Sequence, residues 1–154
     1  MNNHYLYPGQ LIAFKEETLV TTLLGSCVAV VLYDRVKKIG GLNHYLIDQL
    51  SDIKHTNSRY GSFAIPELIR QIEALGSLKK DLVARVYGGA NVVEISIGGE
   101  SIGERNIQFA LELLQENGIA VLEKDVGGNS ARTLKFNTSS GEVRVIRPDD
   151  ETRS

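Results

Sequence analysis

The chain has 154 residues, 42% of them hydrophobic and 23% charged, with a formal net charge of −2. That suffices for one globular domain with a real core. The balance argues against nonspecific nucleic-acid binding, which needs a basic surface, and no apolar run reaches the ~18 residues of a membrane span.

The opening residues, MNNHYLYPGQLIAF, lack a basic region followed by a long apolar stretch, so no secretory leader is read there. GQLIAF predicts a short strand, and the β-branched run CVAVVLY, 27–33, predicts a buried one. DRVKK is a polar turn, and IGGLNHYLI reads as the next strand, with Gly40 and Gly41 marking a bulge or a close backbone approach. The polar stretch 50–62 reads as a surface loop. From about Ala64 to Leu75 the period becomes helical, with Leu68, Ile69, Ile72 and Leu75 on one face, Pro66 in an early turn and Gly76 at the stop. DLVARVYGG predicts a strand, and ERNIQFALELLQENG a helix with the stripe Ile107, Ala110, Leu111 and Leu114. IAVLEKDV reads as a strand, and RTLKFNTSSGEVRVIR as a hairpin turning at Ser139–Gly141. Strict β-α-β alternation is missing, which argues against a doubly wound parallel sheet. The expectation is one α/β domain over residues 1–148, with mixed or largely antiparallel sheet layers, two main helices and a frayed tail at 149–154.

The chain has one cysteine, Cys27, and three histidines, His4, His44 and His55. A lone cysteine forms no internal disulfide, so a reduced thiol in the cytoplasm is expected. If the strands around Cys27 and His44 form a hairpin through Asp34–Lys37, Tyr33 pairs with Lys38 and Cys27 lies opposite His44, with Cβ atoms roughly 4.5–5.5 Å apart. A loop one residue longer puts the two on opposite faces. A neighbouring imidazole can take the thiol proton and leave a thiolate–imidazolium pair. Gly25 and Ser26 precede the sulfur, where backbone amides can form an oxyanion hole. A third group must orient the ring, and the Thr21 and Thr22 hydroxyls both qualify. The alternatives are a cysteine that fills the core and a histidine that is merely hydrogen-bonded. One cysteine and three scattered histidines show no metal-ligand spacing. YGGAN, SIGGESIGER and DVGGNSA do not match the nucleotide-binding glycine patterns and read as turns that shape the site's surroundings.

TTLLGSCVAVVLYD, GGLNHYLID, YGSFAIPELI, ARVYGGAN, SIGERNIQFALELL and DVGGNSARTLKFNTSSGEVRV occur in this order. Together they resemble the CheD family, the chemoreceptor glutamine deamidases of bacterial and archaeal chemotaxis, from about Gln10 to Val145. The resemblance implies hydrolysis of selected glutamine side chains in methyl-accepting chemotaxis receptors to glutamate and ammonia. It implies a Cys-His-Thr triad falling on Cys27, His44 and Thr21, a CheC-type phosphatase as partner, and no cofactor. Ile47-Asp48 stands where the family often has Leu-Pro, Arg85 where it often has Lys, and Ala131-Arg132 where it often has Gly-Arg. Two other classes compete with the deamidase: a non-catalytic module regulating such a phosphatase, and a different thiol hydrolase such as a peptidase.

Overall fold

The computed structural model describes residues 1–48, 57–91, 96–97 and 100–148. Its elements are β1 (Asn2–Tyr5), β2 (Leu11–Phe14), β3 (Thr18–Leu24), β4 (Val28–Asp34), β5 (Ile39–Asn43), α1 (Gly61–Ala74), β6 (Leu82–Gly88), β7 (Ser96–Ile97), β8 (Glu100–Ser101), α2 (Ile102–Glu116), β9 (Ala120–Val126), β10 (Arg132–Asn137) and β11 (Val143–Ile146). One sheet has the order β2-β5-β4-β6-β9 and a second the order β1-β3-β10-β11, while β7 and β8 form a small ribbon. The pairs β1–β3 and β6–β9 are parallel and the others antiparallel, so both sheets are mixed, as expected.

The layers follow from which faces are apolar. Val28, Val30 and Leu32 of β4 pack against Ile65, Leu68 and Ile72 of α1 and against Ala110 and Leu114 of α2. Ala29, Val31 and Tyr33 point the other way and meet Val20 and Leu24 of β3 and Leu134 and Phe136 of β10. The order is helices, five-stranded sheet, four-stranded sheet. Every residue of β4 is buried, which is why its sequence is a continuous apolar run without alternation. Each large apolar side chain buried this way contributes roughly 1.5–3 kcal/mol.

The expected strands and helices form, with shifted ends. Helix α1 starts at Gly61, before the apolar stripe, because Gly61 N–H and Ser62 N–H donate to the carbonyls of Ile47 and Asp48 (both 2.9 Å). That brings 61–62 into the helix; most of the remainder of the expected loop lies outside the described residues, as does the tail at 149–154. The buried residues of α2 are Gly103, Asn106, Ala110 and Leu114, with the predicted Ile107 and Leu111 at the margin of the core. Gly40 reflects close approach: a Cβ there would lie 2.7 Å from Phe136 of the second sheet.

Strands β1, β3, β7 and β8 have no counterpart among the expected elements. In β3 the inward positions are Thr18, Val20, Thr22 and Leu24, and the outward ones include Leu19 and Leu23. Two threonines inside and two leucines outside erase the apolar–polar alternation that marks a half-buried strand.

Candidate active site

The β4–β5 hairpin sets the geometry. Asp34 pairs with Ile39, Tyr33 with Gly40 and Val31 with Leu42, and the same register continues to an isolated bridge between Val28 and Tyr45. The loop has the expected length but sits one residue later, at 35–38. Asp34 stays in the ladder while its Oδ1 accepts from the N–H groups of Val36 (2.9 Å) and Lys37 (3.0 Å). In this register Cys27 falls opposite Leu46 and His44 opposite Ala29. The direct Cys27–His44 pairing of the sequence reading is therefore corrected to a diagonal one. The shift is by two positions, so the shared face survives: diagonal neighbours lie roughly 7–8 Å apart, within reach of longer side chains. Both residues face the second sheet: Cys27 packs against the inter-sheet cluster, and the His44 ring meets β3.

His44 is 1% exposed, and its Nδ1 lies 2.7 Å from Thr22 Oγ1. The same hydroxyl donates to the carbonyl of Leu6 at 2.8 Å. A hydroxyl has one hydrogen, and a carbonyl can only accept. With that hydrogen committed to Leu6, Thr22 Oγ1 must accept from His44 Nδ1–H, which fixes the tautomer and leaves the Nε2 lone pair free as a base.

The expectation for Thr21 is corrected here. Thr22 points inward, while Thr21 lies on the opposite face of β3, beside Tyr5 and Lys135 of the neighbouring strands. Successive strand residues alternate faces, so only one of the two threonines can meet the ring.

Next to the ring, Asn43 replaces a ladder bond with its side chain. Its Oδ1 accepts from Val30 N–H (2.8 Å) and its Nδ2 donates to the carbonyl of Ala64 in α1 (3.2 Å), locking the end of β5 before His44.

Cys27 is half-buried at the end of the short turn that joins β3 to β4. Three successive carbonyls of this turn are tied down: Gly25 O accepts from Ala90 N–H (2.9 Å), Ser26 O from Asn106 Nδ2 (3.2 Å) and Cys27 O from Gly89 N–H (2.8 Å). Two glycines permit the packing. A Cβ on Gly88, whose φ is +103°, would lie 2.2 Å from Cys27 O, and one on Gly103 would lie 2.3 Å from Gly89 O. The YGG and IGER glycines thus press the end of β6, the start of α2 and the cysteine turn together.

Asn106 was not among the candidates read from the sequence. It is fully buried, and its Nδ2 donates both to Ser26 O and to Leu46 O (3.0 Å), the residue that the register sets opposite Cys27. Its own carbonyl accepts from Tyr45 OH (2.5 Å). The available signal was its place on the inward stripe Gly103–Asn106–Ala110–Leu114, a polar residue where the helical period calls for an apolar one.

Electrostatics favour a neutral resting pair. Burial pushes the His44 ring down to about 4. Burial also pushes the Cys27 thiol up, against a smaller downward pull from the cysteine's own backbone N–H. A thiolate–imidazolium pair is disfavoured at both ends, so the two side chains rest as a neutral thiol and a neutral imidazole.

The departures from the family pattern lie outside this contact. Asp48 is ion-paired with Arg105 of α2 (3.0 Å), Arg85 donates to Gly141 O (2.8 Å) and Arg132 donates to Asp125 (2.8 Å). Among the described residues no three His, Cys, Asp or Glu side chains gather as a metal-ligand set, and no helix is long and apolar enough to cross a membrane.

Comparison with known proteins places the chain in a family. The family model described as CheD chemotactic sensory transduction matches residues 48–147. A protein of Anaeromyxobacter dehalogenans named probable chemoreceptor glutamine deamidase CheD 1 is 42% identical over 92% of this chain and 82% of its own length. Proteins named probable chemoreceptor glutamine deamidase CheD from Trichlorobacter lovleyi and Methanococcus vannielii are 41% and 36% identical, over 96% and 95% of this chain and 91% and 95% of theirs. The chain belongs to the CheD family.

Proposed function

We propose that this protein hydrolyses the side-chain amide of selected glutamines in methyl-accepting chemotaxis receptors, with Cys27 as nucleophile, His44 as base and Thr22 as the group that orients the ring. The observation that carries the reading is the Leu6–Thr22–His44 chain, which leaves Nε2 unprotonated on the face that Cys27 shares. Family membership and the names of the relatives supply the substrate class.

His44 Nε2 takes the Cys27 proton as the sulfur attacks the glutamine amide carbon. Backbone amides, including that of Cys27, hold the tetrahedral oxyanion. The imidazolium returns its proton to the leaving nitrogen, so ammonia departs rather than an amide anion, and a thioester remains. Water, deprotonated by His44, attacks the thioester; glutamate forms and the thiol regains its proton. Thr22 accepts from Nδ1–H throughout, and that bond strengthens while the ring is charged. No cofactor enters any step. The reaction acts on the cytoplasmic part of the receptor, and the family resemblance adds a CheC-type phosphatase as second partner.

The test is mass spectrometry of a receptor cytoplasmic fragment incubated with wild type or Cys27→Ala. A shift of about +1 Da at specific glutamines, with wild type alone, is expected. No shift with either folded protein and a cognate receptor overturns the reading in favour of a binding module, and backbone cleavage overturns it in favour of a peptidase.

A further inference from the structure

The cysteine turn has an asymmetry in its polar groups. The carbonyls of Gly25, Ser26 and Cys27 all bond toward the end of β6 and α2. Among the described residues, the N–H groups of Ser26 and Cys27 have no acceptor beyond the cysteine's own sulfur. A turn this short that pairs every carbonyl and leaves adjacent amides free is oriented for an anion.

The peptide unit makes one fact follow from the other. All described peptides are trans. In a planar trans peptide the C=O of one residue and the N–H of the next point in opposite directions. The Ser26 carbonyl is held by Asn106 Nδ2, so the Cys27 N–H is aimed away from α2. Gly25 O is held by Ala90 N–H in the same way, which aims Ser26 N–H away from Ala90. Backbone fixes the Gly25 and Cys27 carbonyls; the Ser26 carbonyl alone depends on a side chain.

That side chain is matched to the task. Nδ2 of Asn106 has two hydrogens: one reaches Ser26 O and the other Leu46 O, on the strand segment that carries His44. Among the described residues no neighbour donates to its Oδ1, which is buried. A buried acceptor left unpaired costs free energy, on the order of 1–3 kcal/mol. A leucine of similar volume would spare that cost but leave Ser26 O and Leu46 O without their donor, so the amide's place is set by those two carbonyls rather than by filling space.

We infer that Asn106 is a positioning residue for the oxyanion hole: it fixes the Ser26–Cys27 peptide plane so that the Cys27 amide meets the negative charge formed when the sulfur attacks a carbonyl. This rests on Cys27 being the nucleophile, and it does not depend on which amide or ester is attacked. A hydrogen bond donated to Ser26 O also polarises the same peptide, making the Cys27 N–H a better donor.

The test separates oxyanion stabilisation from nucleophile reactivity. Acylation of Cys27 by p-nitrophenyl acetate passes through an oxyanion; alkylation by iodoacetamide does not. In Asn106→Leu, the acylation rate is expected to fall about 10²-fold, the scale of losing an oxyanion donor, while alkylation stays within about threefold. Asn106→Ser, a smaller change, is expected to give a fall in between, and it decides the matter if the leucine variant does not fold. Leu114→Ala loosens the same helix without touching either carbonyl and should leave the ratio of the two rates unchanged. Equal losses of acylation and alkylation in the Asn106 variants overturn the inference in favour of general support of the fold, as does an unchanged ratio. Should wild type leave receptor glutamines unmodified while the ratio still falls in Asn106→Leu, the deamidase reading fails and this one stands.

Discussion

The two sides of the site are built differently. The histidine side is held by side chains on strands: Thr22 meets the ring and Asn43 ties the end of β5 to β4 and α1. The cysteine side is held by backbone carbonyls, which donors from β6's end and α2 pull down onto two close-packed glycines. Strand placement tolerates changes that keep a side chain's shape. A loop oriented through its peptide planes fails when any one plane turns. The histidine side should therefore degrade by degrees and the cysteine side abruptly.

Chemistry sets the largest expected effects. Cys27→Ala should abolish receptor deamidation, by more than about 10⁴-fold, while the melting temperature stays close to wild type. His44→Ala should come near it, because without Nε2 nothing accepts the thiol proton in a site where burial already opposes thiolate. Both are read as ammonia release from a receptor fragment. Near-equal activity of wild type and His44→Ala would remove the histidine side from the mechanism.

Gly88→Ala comes next and tests the claim of abruptness. The new Cβ would stand 2.2 Å from Cys27 O at a φ of +103°, so the contact is with backbone and the conformation itself is strained. The expected cost is about 3 kcal/mol or more in chemical denaturation, with deamidation lost even in the molecules that remain folded. Retained turnover in the folded fraction would show that the cysteine turn does not need its present orientation.

How much of this was legible beforehand follows the same division. The α/β architecture, seven of the strands and both helices could be read from period and turn residues. The shared face of Cys27 and His44 could be read only as one of two alternatives that the loop length left open, and it survives because the observed register differs by two positions, which preserves strand parity. The third residue could not: Thr21 and Thr22 are adjacent and chemically identical, and β3 hides its inward face by placing threonines inside and leucines outside. Asn106 lies far along the chain from Ser26, and nothing local at either residue announces the contact. The glycines of YGG and IGER could be recognised as structural, but their joint purpose, close approach of β6, α2 and the cysteine turn, appears only in three dimensions.

Thr22 and Thr21 give a finer contrast within the histidine side. Thr22→Val keeps the shape and removes the acceptor for Nδ1–H, so the ring loses its fixed tautomer and Leu6 O loses its donor. A drop of about 10²-fold in kcat, with KM little changed, is expected. Thr21→Val, on the opposite face, should leave kcat within about twofold. The reverse order of effects would return the third position to Thr21.

The smallest effect is thermodynamic and belongs to His44 alone. In the folded protein burial holds the ring neutral down to about pH 4; in the unfolded chain it takes a proton near 6.5. Between those values the unfolded state binds more protons, so stability rises with pH across the window. The contribution is fully present above pH 6.5 and is lost as pH falls toward 4. At pH 5 the loss amounts to about 2 kcal/mol, since each unit of difference is worth about 1.4 kcal/mol. Urea denaturation of wild type and His44→Gln at pH 7 and pH 5 isolates it, because the other titrating groups are common to both proteins. The wild-type midpoint should fall further than that of His44→Gln. Parallel falls would mean that the ring takes up its proton in the fold as easily as in the unfolded chain, and the neutral resting pair would then give way to one charged before substrate arrives.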